Sequence, residues 1–139
     1  MTDRVSAAER SRMMAKVRNR DTAPEILVRK ILHAAGFRFR LYRRDLPGRP
    51  DIVLPRHRKV IFVHGCFWHG HDCPRGKRPT TNMEFWNAKL DKNIARDAAV
   101  RAELEKLGWS VLTVWECETK DRVTLTKTLL RFLSTKASE

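Results

Sequence analysis

The stretch from Val60 to Cys73, VIFVHGCFWHGHDC, limits the possible folds more than any other part of the chain. VIFVHG (Val60 to Gly65) opens on a short apolar run bounded by polar residues, which reads as a buried strand. The ten residues from His64 to Cys73 then hold three histidines, two cysteines and two bulky aromatics. A buried strand therefore delivers the chain into a segment of metal ligands and titrating groups. The region from Cys66 to Thr81 is rich in Gly, Pro, His and Cys and reads as a loop of about 16 residues, long enough to suggest function.

The flanking sequence says what this loop is attached to. SAAE (Ser6 to Glu9) fits a capping box and starts a short basic helix through about Val17. TAPE (Thr22 to Glu25) is a second capping box, with Pro24 in the first turn. Ile26, Leu27, Ile31 and Leu32 then give a helical apolar face that ends at Gly36. FRFRLY (Phe37 to Tyr42) alternates as a half-exposed strand does, and LPGRP is a turn. DIVLP is a short strand with Asp51 at its start, and RHRK turns the chain into VIFVHG. A long helix is expected from about Asn82 to Leu107, closed by Gly108. WSVLTVWEC (Trp109 to Cys117) is another buried strand, and RVTLTKTLLRFL a closing amphipathic helix. The order α-α-β-β-β-α-β-α predicts an α/β domain. Consecutive strands suggest a meander, and the crossover helix suggests a parallel pair.

At 139 residues one domain is the default, with a core large enough to need no disulfides. No apolar run approaches a membrane span and the charged N-terminus has no signal-peptide pattern, so a cytosolic protein is expected. Lys and Arg number 29 against 16 Asp and Glu, a formal charge of +13. Such an excess points to a polyanionic partner, because neutralising phosphates releases condensed counterions.

Cys66, His71 and Cys73 are spaced C-x4-H-x-C, and Cys117 stands at the end of a predicted strand. Together they offer a closed Cys3His site, structural in type and suited to zinc. The alternative is that Cys117 is a small buried hydrophobe. That leaves His64 and His69 free to move protons near neutral pH. Asp51 starts one strand and His64 ends the next, so antiparallel pairing would put them side by side. Asp51 then offers a ligand to Mg2+, although an Asp after a Pro-rich turn is also an ordinary turn cap. Phe67 and Trp68 suit a wedge between base steps, or a small apolar cluster under the loop. Trp86, Lys89, Asn93 and Asp97 share one face of the long helix, as a groove-reading stripe or a solvated face with one packed Trp.

LPGRPDIVLP, VIFVHGCFWHGHDC, TNMEFWNAKLDKNIARD and LGWSVLTVWEC closely resemble the very-short-patch repair (Vsr) DNA mismatch endonucleases, over about Arg10 to Cys117. That bacterial family nicks DNA beside T·G mismatches made by deamination of 5-methylcytosine. The resemblance implies a restriction-endonuclease-like fold, a mixed central sheet flanked by helices, with a structural zinc site. It implies one domain over 1–139, with residues 1–20 as a DNA-binding arm and 21–139 as the catalytic core. Asp51 would bind catalytic Mg2+ with the main-chain carbonyl of Val63. His69 would be the general base, and His64 would lie at the scissile phosphate. Glu25 and Asp97 would be accessory acids, Glu25 being also the capping-box residue. Cys66, His71, Cys73 and Cys117 match the zinc ligands. Phe67, Trp68 and Trp86 match the aromatic wedge, Met14 the N-terminal arm, and Lys89 and Asn93 base-contacting positions.

Two departures from the family pattern stand out. Val63 replaces an expected Thr, which leaves a carbonyl ligand intact, and RGKRPTT replaces a more apolar loop near DNA. The partner implied is double-stranded DNA, with the mismatch-repair machinery as a further candidate, and the absence of an extra apolar stripe suggests a monomer. Two alternatives remain at this point: a site-specific nicking endonuclease indifferent to mismatches, and a non-enzymatic, zinc-stapled DNA-binding module.

Overall fold

The computed structural model describes residues 21–135; Met14 and the expected helix over 6–17 lie outside them. The described elements are α1 (Ala23–Ala34), β1 (Arg40–Leu41), β2 (Ile52–Leu54), β3 (Lys59–His64), α2 (Met83–Lys106), β4 (Ser110–Trp115) and α3 (Arg122–Ser134), with three short 3-10 turns between them. They follow the expected order. The sheet runs β1-β2-β3-β4. The first three strands form an antiparallel meander, and β3 and β4 pair in parallel across α2.

Alternation along the strands sends side chains to two faces and builds two cores. Ile52, Leu54, Ile61 and Val114 pack with Val28 and Leu32 of α1 and Leu125 and Leu129 of α3. Val53, Val60, Phe62 and Val111 pack with Leu104 of α2 and with Trp109. A mixed sheet thus lies between helices on both sides. Its strands are short and the long helix is mostly solvated, with only Leu90 and Leu104 fully buried on it.

Local chemistry fixes the helix ends. Thr22 and Glu25 form the expected capping box. α1 closes at Gly36 and α2 at Gly108, both with φ near +90°, where a side chain would be strained. In each case the next two amides return to the last turn: Gly108 N bonds Glu105 O and Trp109 N bonds Leu104 O, both at 3.0 Å. α3 has no such glycine. Lys59, at the start of β3 and 1% exposed, reaches its C-terminus instead. Its Nζ donates to the carbonyls of Phe132 and Thr135 and to Thr135 Oγ1.

Two expectations need correction. The buried face of α1 is Glu25, Val28, Ile31 and Leu32, while Ile26 is 38% exposed. Ile26 sits two residues, about 200°, from Val28, so both cannot face the sheet. The strand expected over 37–42 shrinks to Arg40–Leu41. Phe37 is taken by the α1 cap, and Tyr42 leaves the strand in a left-handed conformation with φ 51°.

Candidate active site and metal-ligand cluster

The antiparallel register of β2 and β3 brings the start of one strand beside the end of the other. Asp51 Oδ2 accepts a hydrogen bond from Val63 N at 2.7 Å. Burial and the nearby Glu25 carboxylate raise the Asp51 carboxyl to about 7, against the stabilising effect of the Val63 amide. Glu25 is itself 4% exposed. Two carboxyl groups therefore share a poorly hydrated place with too little positive charge around them, which is what a hard divalent cation supplies.

His64 points to the α2 side of the sheet, as Phe62 does. Burial, and then the neighbouring His69, lowers its imidazole to about 4, so it is neutral at pH 7. The two rings stack with centroids 3.7 Å apart and planes 5° apart. His69 Nδ1 lies 2.6 Å from Asp97 Oδ2, contributed by α2. Burial alone would raise the Asp97 carboxyl; the His69 contact outweighs it and holds the group below its ordinary range. His64, His69 and Asp97 offer atoms close enough to suggest a metal triad. Stacked parallel imidazoles direct their in-plane lone pairs along parallel lines, though, and the 2.6 Å contact is a hydrogen bond. The arrangement suits proton handling better than metal binding: Nδ1–H donated to Asp97 leaves Nε2 as the basic nitrogen.

These groups open on one cleft of about 660 Å³, lined also by Arg49, Phe67, Trp68, Lys89, Asn93 and Arg96. The α2 stripe seen in the sequence faces the loop. Asn93 Nδ2 donates to Trp68 O at 2.9 Å, Lys89 Nζ sits 5.5 Å from the Trp68 ring centre, and Asp97 holds His69. Phe67, Trp68 and Trp86 form one aromatic cluster with centroids 5.2–6.0 Å apart. Each is half-buried, so they pack on one another at the rim of the cleft.

The parallel register of β3 and β4 accounts for the second cluster. His64 pairs with Trp115, so Cys66 and Cys117 each lie two residues beyond the paired ends. Cys117 N approaches Cys66 Sγ at 3.4 Å, and Cys117 Sγ approaches His71 Nδ1 at 3.5 Å. The ligand atoms of Cys66, His71, Cys73 and Cys117 all lie within 4.8 Å of one another. None of the cysteines is in a disulfide. The His71 ring is stacked on Trp115 at 4.1 Å, which fixes its orientation. Burial pushes the Cys66 thiol up to about 12, so a thiolate there needs a cation to sustain it. Three sulfurs and one imidazole nitrogen fit a tetrahedral zinc and no hard cation.

Two cleft residues, and one tyrosine bonded to the cleft-lining Glu25, carry no signal in the sequence. Arg49 and Arg96 were two among many basic residues, and Tyr42 was hidden by the alternation of the FRFRLY segment.

The comparisons with known proteins decide the family. The family model described as DNA mismatch endonuclease Vsr matches residues 2–75. The chain belongs to the Vsr endonuclease family. It is 46% identical over 126 residues to the DNA mismatch endonuclease Vsr of Escherichia coli, covering 91% of this chain and 81% of that one. It is also 51% identical over 121 residues to the type II nicking enzyme V.XorIIP of Xanthomonas oryzae pv. oryzae, covering 87% and 89%. To the type II nicking enzyme V.NmeAIP of Neisseria meningitidis it is 44% identical over 133 residues, covering 96% and 95%. The protein is accordingly a DNA endonuclease, and the reading as a purely DNA-binding module falls. The family match includes Glu25, Asp51, His64 and His69 but stops short of Asp97 and Cys117, which the fold brings to them. Among the described residues no helix is long and apolar enough to cross a membrane.

Proposed function

We propose that this Vsr-family endonuclease hydrolyses one strand of duplex DNA in a Mg2+-dependent reaction, beside T·G mismatches, on a restriction-endonuclease-like core stapled by zinc. The observation that carries the reading is the half-buried Asp51 carboxylate, bonded to Val63 N and lining one cleft with His64, His69 and Asp97. Asp51 and the Val63 carbonyl would hold the cation, with Glu25 ordering its water. When bound, the cation neutralises phosphate charge and stabilises the leaving oxygen. His69 Nε2 accepts the proton of the attacking water, and Asp97 steadies the imidazolium that forms. His64, neutral, lies against the phosphate. Cys66, His71, Cys73 and Cys117 hold zinc apart from the chemistry.

The surplus of 13 positive charges favours the DNA backbone, and strong salt dependence of binding follows. Phe67, Trp68 and Trp86 at the cleft rim act as the wedge, with Lys89 and Asn93 near the base edges and Met14 in the opposite groove. Cleavage then selects the duplex that deforms cheaply, and a mismatch lowers that cost. A second reading, site-specific nicking of fully paired DNA, draws support from the relatives named as nicking enzymes. Incubation with matched and T·G-mismatched duplexes, with and without Mg2+, separates the two. Nicking confined to the mismatched duplex and to Mg2+ is expected; equal nicking of both duplexes overturns the mismatch requirement.

A further inference from the structure

We propose that the Tyr42 hydroxyl is a positioning group for the cation site, holding the Glu25 carboxylate as the second acid beside Asp51. The inference rests on the cation-dependent reading given above. Three observations meet at this residue.

The first is the hydrogen-bond direction. Tyr42 Oη receives Arg29 Nη2 at 2.7 Å and the Asp21 amide at 3.0 Å. Both donors are N–H groups, so they occupy both lone pairs of the hydroxyl, and its single hydrogen has to go elsewhere. It goes to Glu25 Oε2, 2.9 Å away.

The second is how Glu25 is held. Thr22 N donates to Oε2 at 3.0 Å, and Arg29 Nη2 lies 3.7 Å from the same oxygen. With Tyr42, these N–H and O–H donors all meet Oε2, and the Asp51 carboxyl is a further side-chain hydrogen-bond partner of Glu25. A capping-box glutamate needs only the Thr22 amide and ordinarily lies at the surface. Here it is buried, anchored through one oxygen by more groups than a cap requires, and it lines the cleft with Asp51.

The third is backbone strain. Tyr42 is a non-glycine residue at φ 51°, and it ends β1 after two residues. Such conformations persist where the surroundings over-determine them, and they concentrate at functional sites. The turn sends the ring toward α1, where the Arg29 guanidinium lies 5.7 Å from the ring centre. Arg29 is in turn tied to Asp21 at 2.8 Å. The network ends on a carboxylate held beside Asp51 at the cleft, where a cation would be met by both acids.

The test is a calorimetric Mn2+ titration of the full chain, Mn2+ standing in for Mg2+, on wild type, Tyr42→Phe, Glu25→Gln and the double variant. Urea unfolding of each is read separately. Tyr42→Phe is expected to weaken Mn2+ binding about tenfold, as loss of an outer-shell partner does. Glu25→Gln should weaken it at least as much, and Tyr42→Phe should add nothing in the Glu25→Gln background. Mn2+ affinity unchanged in Tyr42→Phe, whatever its stability, overturns the proposal. So do additive losses in the double variant, and so does unchanged affinity in Glu25→Gln, which serves if Tyr42→Phe does not fold. Asp51→Asn is the control: if it binds Mn2+ like wild type, the cation reading of the cleft has failed and not the tyrosine clamp alone.

Discussion

Replacing Asp51 by Asn should stabilise the protein at alkaline pH and destroy its activity. The carboxyl titrates near 3.8 in an unfolded chain and at about 7 in the folded one, chiefly through burial. The folded state therefore binds this proton more tightly. The associated stability is fully present below pH ~4, is lost as pH rises, and is gone above about 7. A shift of roughly 3 units at about 1.4 kcal/mol each gives a cost near 4 kcal/mol at pH 8. The Asn variant never carries this charge, and its amide oxygen can still accept from the Val63 amide, whose support of the charged form the value of about 7 already includes. A net gain of about 4 kcal/mol at pH 8 follows, shrinking to roughly 1–2 kcal/mol at pH 5 and vanishing below about pH 4.

His64 runs the other way, its stability lost as pH falls from 6.5 toward 4, but it is common to both proteins and cancels in the difference. Urea unfolding followed by tryptophan fluorescence from pH 5 to 8.5 measures the gap. The buffer is free of added Mg2+ and of chelator, so that a sulfur-bound ion stays in place. Mg2+ should stabilise wild type alone and narrow the gap. An Asn variant no more stable than wild type at pH 8, or a gap independent of pH, would refute the reasoning.

Asp97→Asn should slow single-turnover cleavage roughly 100-fold or more while leaving duplex affinity within about twofold, since only the His69 contact is changed; equal loss of binding and rate would point to a folding defect instead. Cys117→Ser should lower the zinc content found by mass spectrometry from one per chain toward zero and cost several kcal/mol of stability. Unchanged metal content would remove Cys117 from the ligand set. Lys59→Met should destabilise by about 1–3 kcal/mol, because carbonyls at the end of α3 lose their donor, with the activity of the folded fraction unaltered. Duplex affinity should fall steeply between about 50 and 200 mM salt; a flat response would deny phosphate-driven binding.

Much of the site was legible because it depends on register. A strand starting at Asp51 and another ending at His64 meet in only one antiparallel arrangement. The parallel partner of the second strand carries Cys117 to Cys66 in the same way. Short apolar runs and glycine stops are strong local signals, and they gave the element order. What eluded the sequence depends on side-chain direction. Alternation placed Tyr42 on a strand, whereas a left-handed residue takes it out and aims it at α1. The buried face of α1 departs from the apolar pattern because Glu25 turns inward, and polarity alone argues against that. The long-helix stripe lies on one face, and its partner is the loop: Asn93 is bonded to Trp68 O, a contact between residues 25 apart in sequence. Arg49 and Arg96 carried no local signal in so basic a chain.

Two chemically distinct sets of candidate cation ligands lie at neighbouring strand ends. Anomalous diffraction at the manganese and zinc edges, from crystals grown with Mn2+, is the most direct test of this two-cation reading. Manganese should appear at the Asp51 carboxylate, about 2.0–2.3 Å from oxygen, and zinc among Cys66, His71, Cys73 and Cys117. Manganese between His64, His69 and Asp97, or a zinc-free sulfur cluster, would contradict it.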